Sequence, residues 1–240
     1  MKIIKNEKLI KRNAKIGQYT NIAGLLLVFG TMFFLIQLIQ KPESATQTNT
    51  FIIWGVLFLG IALSQISMYF GSRFGRRPDE ALDKALKGLP GEHSIYHYTS
   101  PVPHLLVGAS GVWLLLPYFI RGNITYKKNR WRVAGGGFAQ SYLRLFGQES
   151  IGRPDLEADG QIASLQKFFK KKFEEGEDIP PISPILVFLD DKVEIDAADA
   201  PLPALQAKKL KEFLRKIDKG NQLPPEDVER IKAALADGKK

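Results

Sequence analysis

The chain has 240 residues, no cysteine and a formal net charge of +9. Its length accommodates one or two domains, and the lack of thiols excludes disulfides, thiolate zinc sites and cysteine nucleophiles. The charge is unevenly placed: Lys2, Lys5, Lys8, Lys11, Arg12 and Lys15 face Glu7 alone within residues 1–18, and Arg73, Arg76 and Arg77 form a second cluster, whereas residues 78–240 hold 24 basic and 23 acidic residues. The basic excess is therefore no argument for nucleic-acid binding by the larger part of the chain.

Residues 1–18 form a basic segment in which Ile3, Ile4, Leu9, Ile10 and Ile16 alternate with lysines. This is either an amphipathic helix on anionic headgroups or a solvated tail that sets orientation. Two apolar runs follow, Ile22 to Ile39 and Phe51 to Phe70, each free of ionised side chains. Each is long enough for a helix to cross about 30 Å of hydrocarbon. Residues 19–77 are thus expected to be a transmembrane hairpin with helices over about 20–40 and 51–71. Basic clusters flank both of its ends and are absent from the Lys41–Thr50 connection, which predicts a cytoplasmic N-terminus and a cytoplasmic C-terminal domain. The first run is too long, and too closely followed by the second, for a cleaved signal peptide.

Past the hairpin, Pro78 to Leu89 reads as a short helix with an acidic first turn. Ser94–Thr99, Pro103–Gly108 and Gly111–Phe119 read as strands, the last two joined by a Gly108–Gly111 turn, and their unbroken apolar runs imply burial on both faces. Gly122 to Val133 alternates like a partly exposed ribbon. A looser stretch, Ala134 to Asp159, precedes a helix over Gln161–Glu175, a strand over Ile185–Leu189, a helix over Pro203–Lys219 and a last helix from Pro224 to Ala236. The order predicts an α/β (α+β) domain around a mixed central sheet over residues 78–218, with residues 219–240 as a C-terminal helix and tail.

The phrase Pro103-His-Leu-Leu-Val-Gly-Ala-Ser-Gly-Val-Trp-Leu-Leu115 resembles the strand–turn–strand of the nuclease-related domain (NERD) family. Glu80 in the opening helix, Gly122-Asn123-Ile124, the ribbon around Trp131, Gly152-Arg153-Pro154 and the strand at 184–188 fall in the family's order, so the resemblance covers roughly Asp79 to Ile217. It implies a restriction-endonuclease-like fold. In an active member, an aspartate before the second strand and a Glu-x-Lys at the end of the third would hold a divalent metal that activates water. Here those positions are Pro103 and Leu116-Pro117-Tyr118, and no acidic residue occurs between Glu92 and Glu149. Magnesium requires oxygen ligands, which neither Leu116 nor Pro103 supplies. The resemblance therefore implies a pseudoenzyme, with no catalytic residues, metal or cofactor, acting as a binding or scaffold module at the cytoplasmic membrane face for a protein partner. Two alternatives stay open: a membrane-tethered metal-dependent nuclease with relocated acids such as Glu80 and Glu92, and a headgroup-associated structural oligomer.

Among other features, His93 and His97 read as partly exposed strand residues without a third ligand, and Ser110 as a turn serine, since Gly-x-Ser-x-Gly is absent. Gly135-Gly136-Gly137 reads as a connector. Asp190, Asp191, Glu194, Asp196 and Asp199 read as a solvated turn. Arg121, Lys127, Lys128, Arg130, Trp131 and Arg132, with Tyr126 interleaved, form the one candidate binding surface. Such residues grip phosphates and stack on bases, lie against anionic lipid headgroups, or simply protect a ribbon edge.

Overall fold

The computed structural model describes residues 1–41, 43, 46–135, 151–174, 177–218, 220 and 222–237. They form two compact units, Glu7–Arg77 and Met1–Asn6 with Pro78–Lys240. The predicted connector at Gly135–Gly137 and the looser stretch up to residue 150 lie largely outside the described residues.

In the first unit, helix α1 (Glu7–Gln40) and helix α2 (Gln47–Phe70) are both long and apolar enough to cross a membrane. Thr46 caps α2 by accepting the Asn49 N–H at 3.2 Å. Small residues let the two helices approach: Gly17, Gly24 and Thr31, at seven-residue spacing on α1, are buried, as are Gly60 and Ser67 on α2. A Cβ built on Gly24 would lie 2.8 Å from Ser64 Oγ and 3.0 Å from the Gly60 carbonyl oxygen. Ser67 donates to the Gly17 carbonyl at 2.8 Å, and Thr31 to that of Leu27 at 2.7 Å. This packing uses contact and hydrogen bonding, with the large apolar groups left outside. Leu26, Phe29, Phe33, Phe34, Ile39, Phe51 and Phe58 are all exposed.

The second unit opens with strand β1 (Lys2–Lys5), followed after the hairpin by helix α3 (Pro78–Leu86), then β2 (Ser94–His97), β3 (His104–Gly108), β4 (Gly111–Tyr118), β5 (Gly122–Lys127) and β6 (Arg130–Ala134). Helix α4 (Pro154–Lys170), β7 (Ile182–Phe188), β8 (Val193–Asp196), β9 (Ala204–Gln206), α5 (Ala207–Asp218) and α6 (Pro225–Asp237) complete it. Six strands form a mixed sheet in the order β1-β2-β3-β4-β7-β9, antiparallel at β2–β3 and β3–β4 and parallel at the other three pairings. A smaller sheet, β6-β5-β8, stands beside it.

Strand alternation divides the core. Val112, Leu114 and Leu116 share one cluster with Leu165 and Phe169 of α4 and Ile231 and Leu235 of α6. Trp113 and Leu115 share the other with Leu82 and Leu86 of α3 and Leu210 and Leu214 of α5. The domain is thus an α/β sandwich with helices on both faces of a mixed sheet.

Several boundaries differ from the sequence reading. Residues 1–18 are not one basic segment: Lys2–Lys5 pairs with Ser94–His97 as an edge strand, and helix α1 already begins at Glu7. The alternation of Lys2, Ile3, Ile4 and Lys5 fits a half-buried strand over four residues as well as a helix, and only a partner strand far along the chain decides. Helix α4 begins at Pro154, because proline is accommodated in a first turn, and ends five residues earlier than predicted. Pro203 opens not a helix but strand β9, and the acidic stretch after β7 contains strand β8. Pro184 lies inside β7, at a point before the β9 pairing begins at Leu186, where its missing N–H costs no ladder bond. The predicted C-terminal helix is present as α6, and its Val228, Ile231, Ala234 and Leu235 belong to the core.

Candidate functional site

Three places in the second unit carry chemistry: the positions of the expected nuclease ligands, a buried ionisable row, and the basic ribbon.

Leu116 and Tyr118 end β4 on the face covered by α4 and α6. Leu116 is 3% exposed within the apolar cluster. Tyr118 stacks on Phe188 with ring centroids 5.7 Å apart, and its hydroxyl donates to Glu157 at 3.1 Å. Burial, then the charge of Glu157, pushes its phenol far above the ordinary tyrosine value. Glu157 is the one carboxylate in hydrogen-bond contact here, while Asp155 acts through space and lies 3.7 Å from Arg153. Pro103 offers only its carbonyl, which accepts the Tyr98 N–H at 2.8 Å. Glu80 and Glu92 are exposed. Among the described residues no three His, Asp or Glu side chains are grouped to hold a metal ion.

The histidines are not partly exposed, as their strand positions suggested: His93, His97 and His104 are 0%, 0% and 2% exposed. His93 sits just before β2, with Nε2 3.1 Å from the Ser110 hydroxyl. Ser110 is a turn residue, but a buried one, and its carbonyl accepts from the Trp113 indole at 3.0 Å. Gly108 makes room for the His93 ring, since a Cβ there would come within 2.3 Å of it. This Ser–His couple is enclosed, so it serves the hairpin and not a substrate.

The second cluster is a row across three strands. Lys5 of β1 is in register with His97 of β2, and His97 with His104 of β3. His97 Nδ1 and His104 Nδ1 lie 2.8 Å apart, and His97 Nε2 is 3.1 Å from Asp83 Oδ1 on α3. Lys5 pairs with Asp83 and donates to Asp79 at 3.2 Å. Asp79 and Asp83 stand one helical turn apart, which points both carboxylates at the same row. Burial disfavours the Asp83 charge, but hydrogen bonds from His97 and Lys5 outweigh it and hold the carboxyl below the ordinary aspartate range. Lys5 is likewise raised by Asp83 and Asp79 against its burial. His104 is driven well below the usual histidine value by burial and then by His97. The spacing of Asp79 and Asp83 was visible in the sequence; Lys5, more than seventy residues earlier, was not a recognisable partner.

The ribbon turns at Lys128-Asn129, whose φ angles of 53° and 56° are those of a two-residue hairpin turn. Lys127, Lys128, Arg130 and Arg132 are exposed. Trp131, by contrast, is 8% exposed and packs against Tyr126 in the core at 5.2 Å between centroids. Its ring is therefore not presented for stacking. Acids absent from the ribbon's own sequence also arrive from elsewhere. Asp190 pairs with Arg121 at 2.5 Å, and Asp196 of β8 lies 3.9 Å from Lys127. Despite some burial, hydrogen bonds from Arg121 and the Lys192 backbone lower the Asp190 carboxyl. Among the described residues, no salt bridge joins an acid to Lys128, Arg130 or Arg132, which form a smaller surface than the sequence suggested.

No protein-family model, curated protein or solved structure matches the chain.

Proposed function

We propose that this chain is a two-pass membrane protein whose α/β domain is a NERD-like, restriction-endonuclease-like module at the cytoplasmic face, and that the module binds a partner and does not cut nucleic acid. The membrane part of this reading rests on the outward side chains of α1 and α2. Exposed Leu26, Phe29, Phe33, Phe34, Phe51 and Phe58 form an apolar surface that water penalises and lipid accepts. Basic residues in β1 and the first turns of α1, and those after α2, favour both ends inside. The restriction-endonuclease-like part is supported by the order helix α3, three antiparallel strands, helix α4 and parallel strand β7.

The non-catalytic part rests on one observation. At the position where the family's glutamate would bind metal, Leu116 is packed in the core at 3% exposure. The remaining surface for a partner is the ribbon tip with Lys128, Arg130 and Arg132, suited to anionic headgroups or an acidic protein segment.

Two measurements test this reading on the full chain, the first in lipid nanodiscs and the second in intact cells. The first is incubation with single- and double-stranded DNA and RNA in magnesium or manganese, where the expected outcome is intact substrate. Metal-dependent cleavage that disappears in Glu80→Ala would establish the relocated-acid nuclease instead. The second uses the cysteine-free background. Single cysteines at Thr48 and Asp199 are labelled in intact cells with a membrane-impermeant maleimide. Labelling at Thr48 alone is expected, and labelling at Asp199 would overturn the orientation.

A further inference from the structure

The buried row is the least expected feature of the domain. Five ionisable side chains meet in one place: Lys5 from β1, Asp79 and Asp83 from α3, His97 from β2 and His104 from β3. The Tyr98 ring closes the cluster, 5.0 Å from that of His104. Groups this costly to bury need every partner in place. Geometry bounds their proton count. With His97 Nε2–H donated to Asp83, His97 Nδ1 is an acceptor and His104 Nδ1 supplies the proton between the rings, so the pair is satisfied when neutral. One added proton can be carried with that hydrogen bond kept. Two cannot, because both Nδ1 atoms would then be donors facing each other at 2.8 Å.

The ammonium of Lys5 and any proton taken up by the imidazoles answer to the same two carboxylates. Lys5 is also the only member of the row on the edge strand. β1 pairs with β2 alone, over four residues; the Lys2 and Asn6 amides donate to the His93 and His97 carbonyls at 2.8 and 3.0 Å, the Met1 ammonium donates to the Leu89 carbonyl at 3.3 Å, and Ile4 packs against the core. The Lys5 charge lowers the proton affinity of His104, and such coupling is reciprocal: a proton on the imidazole must disfavour the docked ammonium by the same factor.

We propose that the Lys5–Asp79–Asp83–His97–His104 row is a proton-sensitive clasp that docks the N-terminal strand β1 onto the sheet at neutral pH and releases it on acidification. Protons displace the Lys5 ammonium from Asp79 and Asp83, and the edge strand leaves with it. Because β1 ends at Lys5 and α1 starts at Glu7, release lengthens the link between the domain and the first apolar helix by the whole strand. This inference needs neither the membrane nor the NERD-like reading.

The test is hydrogen exchange of the full chain in detergent micelles at pH 7.5 and 5.5, corrected for the intrinsic pH dependence of exchange. Protection of residues 1–6 is expected to fall by about tenfold or more in the native chain, since one linked proton changes an equilibrium about tenfold per pH unit. Residues of β4 should stay protected at both values, showing that the rest of the domain is folded. In His104→Phe, which fills the site but takes no proton, the pH effect on residues 1–6 should vanish. Equal protection of residues 1–6 at both pH values in the native chain overturns the clasp, as does a pH effect that persists in His104→Phe. If His104→Phe loses β4 protection, the reciprocal measurement decides. Lys5→Gln should raise the midpoint of histidine titration followed by imidazole NMR, and an unchanged midpoint refutes the coupling.

Discussion

Replacing Leu116 by glutamate supplies the acid that the proposed NERD-like reading would place there in an active member, and the structure predicts that the domain will not tolerate it. Leu116 is 3% exposed, in register with Leu186 of β7, and shares its cluster with Leu114, Phe169 and Phe188. Removing the leucine side chain forfeits about 2–3 kcal/mol of apolar burial. Burying an unpartnered neutral carboxyl adds roughly 1–3 kcal/mol. The loss is then about 3–6 kcal/mol before any charge is considered, a large share of the ~5–15 kcal/mol by which domains are stable. Ionisation makes it worse. The folded state would raise this glutamate above its unfolded value of about 4.3, so the native chain would hold a proton that the unfolded chain has lost. Stability would accordingly fall with rising pH, by about 1.4 kcal/mol per unit, up to the raised folded value. The assay is urea unfolding of the full chain in detergent at pH 5.5 and 8, followed by Trp113 and Trp131 fluorescence in a Trp54→Phe background. Leu116→Glu should have a lower midpoint than the parent at pH 5.5 and a still lower one at pH 8. A variant as stable as the parent at pH 8, and further stabilised by manganese, would show that position 116 is still a ligand position and would refute the argument from packing.

Other expectations follow from single contacts. Gly24→Ala should loosen the α1–α2 pair by about 1–3 kcal/mol, the usual cost of overpacking, because its Cβ meets Gly60 and Ser64 at 2.8–3.1 Å, whereas Gly30→Ala, with nothing within 4 Å, should not. Energy transfer between dyes on Tyr19→Cys and Tyr69→Cys during an SDS titration separates the two. Gly122→Ala should lower the urea midpoint more than Gly152→Ala. Both glycines have positive φ, but only at Gly122 would a Cβ also strike a carbonyl oxygen, that of Ala134, at 2.3 Å. The whole domain should lose stability as pH drops below about 6.5, the unfolded histidine value. The unfolded chain then takes up the proton that buried His104 refuses. A second loss should begin below about 3.8, where unfolded aspartates protonate while Asp83 and Asp190 resist. Urea midpoints between pH 8 and 3 check both limbs.

What could be read from the sequence was local. The unbroken apolar run of Gly111–Phe119 announced a strand buried on both faces, and the structure has one over Gly111–Tyr118. The alternation of Gly122 to Val133 announced the ribbon. What could not be read depended on partners remote in the chain. β1 is a strand because residues 94–97 lie beside it, and β8 because β5 does. Likewise, the ribbon looked uniformly basic because Asp190 and Asp196 come to it from about seventy residues away. The histidines were misread for the same reason. Alone, His97 and His104 lack a carboxylate, and it is helix α3 that supplies one.

The location of that row bears on the rival nuclease reading. Along β2 and β3, His97 and His104 share alternation with Ile95 and Leu106, which belong to the cluster under α3 and α5. Leu116 has the opposite alternation and belongs to the cluster under α4 and α6. Asp79, Asp83 and the histidines therefore gather on the face of the sheet away from Leu116 and Tyr118. A metal bound by relocated acids on the α3 side would have to displace Lys5 from Asp79 and Asp83, because that ammonium already occupies the place of a cation between them. The same lysine that makes the row a poor metal site makes it the proposed clasp: its charge offsets one of the two carboxylate charges at neutral pH, and it arrives on an edge strand.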